Sequence, residues 1–262
     1  MTTVNVRPAA VAGSFYPRSR ADLAGVVDRL LSDAVTHPGG APKALVVPHA
    51  GYVYSGPVAA SAYAQWRGLE PGARIVLLGP AHYVGIRGLA LPDADALETP
   101  LGRVQIDPLA ASLGVPVSAL VHAREHSLEV QLPFLQSVLG PHFTLVPIAV
   151  GHADRHEVAR VLDAAWERSH VIISSDLSHF LPWAEAQALD AKTAQSIVSL
   201  DADAIGDDQA CGNAALRGFL DVAKRRGLVA RQLDLRTSGD TAGDKDRVVG
   251  YGAFSFHEGA HA

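Results

Sequence analysis

The sequence predicts an α/β protein, a single domain with a mainly parallel or mixed central sheet flanked by helices. Three observations carry that expectation. Short Val/Ile-rich runs alternate with longer stretches of helical period along all 262 residues. No repeat, low-complexity tract or Ser/Pro/Gly linker divides the chain, so residues 1–262 read as one domain. Hydrophobic residues make up 48% and charged ones 19%, a globular balance in a chain long enough for one large core.

The elements follow in order. Over residues 21–33, Leu23, Val26, Val27, Leu30 and Leu31 share one stripe, which predicts an amphipathic helix. Residues 44–47 read as a buried strand followed by a Pro-His-Ala-Gly loop. Ser55-Gly56-Pro57 then marks a helix start, with Pro57 near the first helical position. Residues 74–78 form the next strand, ended by Gly79-Pro80. The segment 128–139 has helical period, and Pro133 kinks it or marks its start. A strand over 145–150, a helix over 153–167 and a strand over 171–174 come next. Helices over 184–200 and 213–226 follow, the second capped by Gly227 and carrying Lys224-Arg225-Arg226 at its negative end. Strands over 229–235 and 248–256 close the chain, where Gly250 and Gly252 signal close backbone approach or a bulge.

Composition narrows the function. Against 27 Asp+Glu there are 22 Lys+Arg, a net charge of −5 with no basic cluster, so no nucleic-acid surface is expected. A single cysteine, Cys211, excludes an intrachain disulfide framework. No apolar stretch nears the roughly 18 residues of a membrane span, and residues 1–20 lack the pattern of a signal peptide. The expected location is cytoplasmic, with no membrane partner. There is no G-x-x-x-x-G-K-[ST] for a phosphate loop and no G-x-S-x-G nucleophile elbow. Gly85-Ile-Arg-Gly88 is too sparse for a dinucleotide fingerprint and reads as turns.

Twelve histidines are the excess worth pursuing. Three predicted strands end in the same way: 44–47 leads to His49, 74–78 to His82, and 171–174 to Asp176 and His179. In an open α/β sheet, ligands bind beyond the carboxyl ends of strands. Two imidazoles meeting there suit a divalent transition metal, which needs a third protein ligand. Asp176, His179, Glu125, His126 and Cys211 are the candidates. Cys211 lies just ahead of a predicted helix, whose N-terminus would lower the thiol pKa and favour thiolate. His122-Ala-Arg-Glu125-His126 matches the H-x-x-E-H pattern of inverted zinc peptidases, but the helix that motif needs is predicted only after it. His37, His257 and His261 read as solvent or tail residues. His142, His152, His156 and His170 flank elements without a nameable partner.

These residues resemble the Memo family, which includes the prokaryotic AmmeMemoRadiSam system protein B. The resemblance runs through Arg7-Pro8 and Ala12-Gly13-Ser14-Phe15-Tyr16-Pro17, then Val47-Pro48-His49-Ala50-Gly51-Tyr52 with Tyr54-Ser55-Gly56. It continues in Leu78-Gly79-Pro80-Ala81-His82-Tyr83, Glu98-Thr99-Pro100-Leu101-Gly102 and Glu125-His126-Ser127-Leu128-Glu129-Val130-Gln131-Leu132-Pro133. Ser174-Ser175-Asp176-Leu177-Ser178-His179 and Tyr251-Gly252-Ala253 complete it. The family is similar in structure to class III extradiol dioxygenases, non-haem iron enzymes that cleave catechol rings. The resemblance therefore implies an extradiol-dioxygenase-like fold with its site at strand ends. It places His49 and His82 on metal-binding histidines and Cys211 on the third ligand. Asp176, His179 and His126 fall in the same pocket. A Cys/His₂ set departs from the two-histidine, one-carboxylate set of the dioxygenases. It can hold iron, and suits copper or zinc as well.

Roles follow from these placements. His179 would be the acid/base group, and Asp176 would orient it or a metal-bound water. Tyr16, Tyr52 and Tyr54 would line the mouth and meet substrate. The expected function is a metal-binding, oxidoreductase-like protein acting on an unknown small molecule. The rival is a non-catalytic module that recognises a peptide or modified amino acid in the same cleft. The family name also couples these proteins to radical-SAM and AMMECR-type pathway partners.

Overall fold

The apolar runs become strands whose side chains alternate between two cores. The computed structural model describes residues 4–259. In chain order it contains β1 (Val6–Arg7), α1 (Arg20–Asp33), β2 (Ala44–Val47), α2 (Tyr52–Tyr63) and β3 (Ala73–Pro80). Three short strands follow: β4 (Leu89–Ala90), β5 (Ala96–Thr99) and β6 (Gly102–Ile106). Next come α3 (Ala119–His122), α4 (Leu132–Leu139), β7 (Phe143–Val150), α5 (Arg155–Ala165), β8 (Ser169–Ser174) and β9 (His179–Leu181). The chain ends with α6 (Trp183–Val198), α7 (Asn213–Arg225), β10 (Leu228–Thr237), α8 (Ser238–Thr241) and β11 (Val248–Glu258).

The eleven strands form one mixed sheet in the order β1-β5-β6-β7-β3-β8-β2-β11-β10, with β4 on β7 and β9 on β11. The middle of it, β6-β7-β3-β8-β2, is parallel; β11 and β10 extend it antiparallel. Period-two alternation splits the central strands cleanly. Leu45, Val47, Ile75, Leu77 and Ile172 face α1, α2 and α4. Val46, Val76, Leu78, Val171 and Ile173 face α5 and α7. A strand buried on both sides has no polar position to spare, which is why these segments were legible as continuous apolar runs. Each such Val, Leu or Ile contributes roughly 1.5–3 kcal/mol relative to exposure. The architecture is a single α/β domain consistent with the extradiol-dioxygenase-like fold. No helix among the described residues is long and apolar enough to cross a membrane.

Local signals behave as their chemistry dictates, with one correction. Pro133 occupies the first turn of α4, after a 3₁₀ turn over Glu129–Gln131, so it marks a start and not a kink. Gly227 takes φ +67° just past α7. A Cβ at Gly250 would lie 1.9 Å from Asp190 Oδ2, the close approach its glycine foretold. Pro57, however, does not open its helix. α2 begins at Tyr52, so Pro57 is the sixth residue, and the acceptor it leaves unmatched belongs to the exposed Val53. Of the histidines set aside, His37, His142, His152 and His156 are exposed. His257 is half-buried against Ser255, His170 rests on the Pro42 carbonyl, and His261 lies outside the described residues.

Candidate functional site

β3, β8 and β2 are adjacent and parallel, so their carboxyl ends open on one crevice. His82, Asp176 with His179, and His49 follow them in that order. The ligand-capable atoms of His49, His82 and His126 lie within 4.8 Å of one another. His82 and His126 stack at 4.6 Å between ring centroids, and His49 stands edge-on to both.

Hydrogen bonds fix a proton on Nδ1 of His49, His82 and His179. Ser174 Oγ donates its one proton to the Ser127 carbonyl at 2.6 Å. It can therefore only accept from Gln131 Nε2 and from His49 Nδ1, at 2.8 and 2.9 Å. His49 thus carries its proton on Nδ1 and keeps a lone pair on Nε2. Glu125 does the same for His82. It accepts the His82 backbone N–H at 2.6 Å and Nδ1–H at 2.9 Å, leaving Nε2 free. A carboxylate behind a histidine is the arrangement that orients metal-binding imidazoles. His126 Nδ1 is buried and has no hydrogen-bond partner, although Glu125 Oε1 lies 3.4 Å away. His179 donates from Nδ1 to the Leu177 carbonyl at 2.8 Å, so its Nε2 is the free nitrogen.

Electrostatics keep His49 and His126 neutral. Burial, and then the neighbouring imidazoles of His82 and His126, hold His49 well below the usual histidine range. Burial and His82 bring His126 down to about 4. Glu125 is the exception that stays ionised: burial pushes it up, but the bonds from His82 and Ser127 outweigh this and hold it at about 2. Asp176 accepts the His49 backbone N–H at 2.7 Å, yet burial pushes it up to about 7. The His82 side chain is 28% exposed against 12% for His126, so the cluster opens to solvent on the His82 side.

Cys211 touches the cluster at one corner. Its Sγ lies 3.2 Å from His49 Nε2 and accepts from the Asp176 backbone N–H at 3.3 Å. The helix start that the sequence predicts does lie just after Cys211, but burial works against the expected thiolate. Burial, and next the Asp176 carboxyl, push the thiol up, and the sulfur is placed to donate to the imidazole lone pair. The peptidase motif also dissolves. His122 ends the four-residue α3 with its Nε2 on the Ala90 carbonyl, while Glu125 and His126 lie outside any helix.

The three tyrosines part company. Tyr16 and Tyr52 are buried, their hydroxyls donating to Glu129 Oε1 at 2.5 Å and to the Val130 carbonyl at 2.6 Å. Tyr54 is 40% exposed. Two aromatic rings given no role beforehand, Phe15 and Tyr83, pack on His126 at 4.5 and 5.7 Å. Ser174, Gln131 and Glu125 set the ring tautomers, and only Glu125 was among the candidates. The signal for the others was faint: a serine ending an apolar strand and a glutamine in an apolar helix.

Known proteins share this layout of sequence. The model of the Memo-like protein family matches residues 7–255. A MEMO1 family protein of Ignicoccus hospitalis is 38% identical, the alignment covering 96% of this chain and 98% of that protein. Those of Aeropyrum pernix and Aquifex aeolicus are 36% and 35% identical, covering 95% of this chain and 99% and 98% of theirs. With a family match across nearly all its length and a histidine cluster compatible with metal binding, the chain belongs to the Memo-like protein family.

Proposed function

We propose that the protein binds a transition metal, iron or copper with zinc also suited to the donors, and uses it in oxidoreductase-like chemistry. One observation carries this reading: three imidazoles converge, each offering one ligand-capable nitrogen within 4.8 Å of the others, and His126 keeps a buried nitrogen without a hydrogen-bond partner. An unpaired buried nitrogen such as that of His126 costs about 1–3 kcal/mol unless something meets it, and a metal ion would draw one donor from each of the three rings. His49 and His82 are common to every donor set, with His126 or the Cys211 sulfur as the third. The bound ion would supply redox and Lewis-acid chemistry and leave positions open for a ligand.

The chain's own residues do the rest. His179 has its Nδ1 proton fixed on the Leu177 carbonyl, so Nε2 is the atom that takes up or returns a proton. Asp176, with a carboxyl near neutrality, holds the His49 backbone and can share a proton at that corner. The Glu125 carboxylate keeps His82 in one tautomer. Tyr54 is the expected mouth residue that has surface to offer a ligand.

A second reading, a non-catalytic module holding a peptide or modified amino acid, draws on the exposed apolar side chains of Val53, Tyr54 and Tyr83 near the cleft. Metal analysis of purified protein tests the first reading, comparing wild type with His49→Ala, His82→Ala, His126→Ala and Cys211→Ser. His49→Ala and His82→Ala should each lose most of the bound metal, joined by whichever of His126→Ala and Cys211→Ser removes the third donor. If none lowers iron, copper or zinc, the reading fails. Oxygen uptake with catechols on iron-loaded protein separates the two: no uptake beside measurable peptide affinity favours the module.

A further inference from the structure

Phe180 is out of place twice over. Its φ is +59°, a left-handed conformation that is an outlier for a bulky side chain, and its side chain is large, apolar and 59% exposed. Only Arg168 and Leu200 share a positive φ among the described non-glycine residues. Both have ordinary reasons. Arg168 sits in the turn between α5 and β8, and Leu200 follows the end of α6 with its side chain packed on the core. Phe180 is the middle residue of β9, with no helix end and no core contact to explain it.

Its neighbours hold the strained segment in place. Ser178 donates its backbone N–H to the buried Asp190 at 3.0 Å, and Leu177 and Ser178 exchange backbone bonds with Gly250. Val248 and Val249 of β11 pair with β9. The Phe180 ring stands edge-on to His179 at 5.7 Å, and the Arg247 guanidinium lies 5.2 Å over it. Tyr83 repeats the construction on another loop: 47% exposed, edge-on to His126 at 5.7 Å, with Arg124 at 5.3 Å. Two exposed aromatic rings are thus each steadied by an arginine and each abut a histidine that follows a central strand or joins the cluster.

We propose that Phe180 is a ligand-contacting residue of the histidine cleft, its strained backbone maintained so that its ring meets the flat apolar part of an organic ligand held at the imidazoles. The inference rests on the metal reading above. It adds a selectivity: flat chelators should be preferred over small polar ones through Phe180, with Tyr83 as the second ring and Arg247 steadying that of Phe180.

The test uses two chelators on iron-loaded protein, followed by visible absorbance: 4-nitrocatechol, which is flat, and acetohydroxamate, which is small and has no ring. Phe180→Gly should weaken 4-nitrocatechol roughly 3- to 10-fold and leave acetohydroxamate within about twofold of wild type. Its Tm should equal or exceed that of wild type, because glycine relaxes the left-handed backbone. Phe180→Asn, which also tolerates that conformation, should behave alike and serves where the glycine variant does not fold. Arg247→Gln should give a smaller loss for 4-nitrocatechol alone. Equal losses for both chelators with a lowered Tm would make Phe180 a structural residue and overturn the proposal, as would no loss for either. If wild-type protein takes up no metal, the metal reading falls and this proposal falls with it; if it takes up iron but does not bind 4-nitrocatechol, this proposal falls alone.

Discussion

Glu125 and Glu129 lie four residues apart, both buried, and are used in opposite ways. Glu129 ties down the N-terminal segment. It is ion-paired with Arg7, accepts the backbone N–H groups of Ala10 and Val11 at 2.8 and 3.0 Å, and takes the Tyr16 hydroxyl. Arg7 in turn donates to the carbonyls of His122 and Glu125. Glu125 has no permanent cation. Its partners are three backbone N–H groups and the imidazole of His82. A carboxylate paired with a guanidinium and fully satisfied is a fastening; one paired with an imidazole orients a ring whose other nitrogen stays free. Asp176 completes the series, with backbone donors alone, and only it is pushed up to near neutrality.

The largest effect should come from breaking the fastening. Glu129→Ala strands a guanidinium whose side chain is 9% exposed, and breaking a buried ion pair costs about 3–5 kcal/mol. That is a large share of a typical domain's stability. The urea midpoint should fall steeply, while metal uptake per folded molecule should equal that of wild type.

Next in size is a pH window in which the carboxylates have opposite signs. Glu125 is held at about 2 in the folded chain, below its ordinary 4.5. Its stabilisation is complete above that ordinary value and is lost as pH falls toward 2. Asp176 is raised from 3.8 to about 7, so its contribution is complete below the ordinary value and lost as pH rises through 7. About three pH units at roughly 1.4 kcal/mol each bound the Asp176 effect near 4 kcal/mol. Asp176→Asn keeps an oxygen for the His49 N–H and removes the charge. Urea titrations of metal-free protein should therefore show the variant gaining on wild type between pH 4 and 8. A constant difference across that range would mean that Asp176 is ionised without cost.

Glu125→Gln sharpens the contrast with Glu129. The amide retains one acceptor but no longer presents a charged oxygen to His82 Nδ1. Metal affinity should drop about 10- to 100-fold, the usual cost of losing the partner behind a ligating histidine. Stability should fall by only about 1–2 kcal/mol. Competition with a chelator reads the first, urea the second. Loss of folding equal to that of Glu129→Ala would erase the distinction between the two carboxylates.

How much of this was legible follows from element length. β2, β3 and β8 are buried on both faces, so their apolar runs stood out, and with them His49, His82 and Asp176 at their ends. β1, β4, β5, β6 and β9 have two to five residues each and, unlike β2, no unbroken four-residue apolar run to mark them. Glu125 could not be assigned a role because residues 119–131 pass through a four-residue helix, a loop and a 3₁₀ turn. For Cys211, proximity to a helix start was visible in the sequence, but burial, which decides its proton, was not. The family resemblance named His49, His82 and Cys211 as a metal set but gave no role to Glu125, Gln131 and Ser174, whose hydrogen bonds orient the rings.

The smallest effects test the tyrosines that sequence placed at the mouth. Tyr16→Phe removes one of the groups that satisfy Glu129 and changes little volume, so it should cost about 1.5 kcal/mol, the low end for a bond to a charged acceptor. Tyr52→Phe removes a bond to the neutral Val130 carbonyl and should cost about 1 kcal/mol. Burial, and then the Glu129 charge, keep the Tyr16 phenol protonated, so neither loss should vary with pH across the neutral range. Both variants should bind metal and 4-nitrocatechol as wild type does, because each hydroxyl is spent inside the fold. Tyr54→Ala should do the reverse: its side chain is exposed, so stability should hold while ligand affinity falls. A Tyr16→Phe protein that loses ligand affinity at unchanged stability would place that hydroxyl at the cleft after all, and would make Glu129 part of the site it otherwise only fastens.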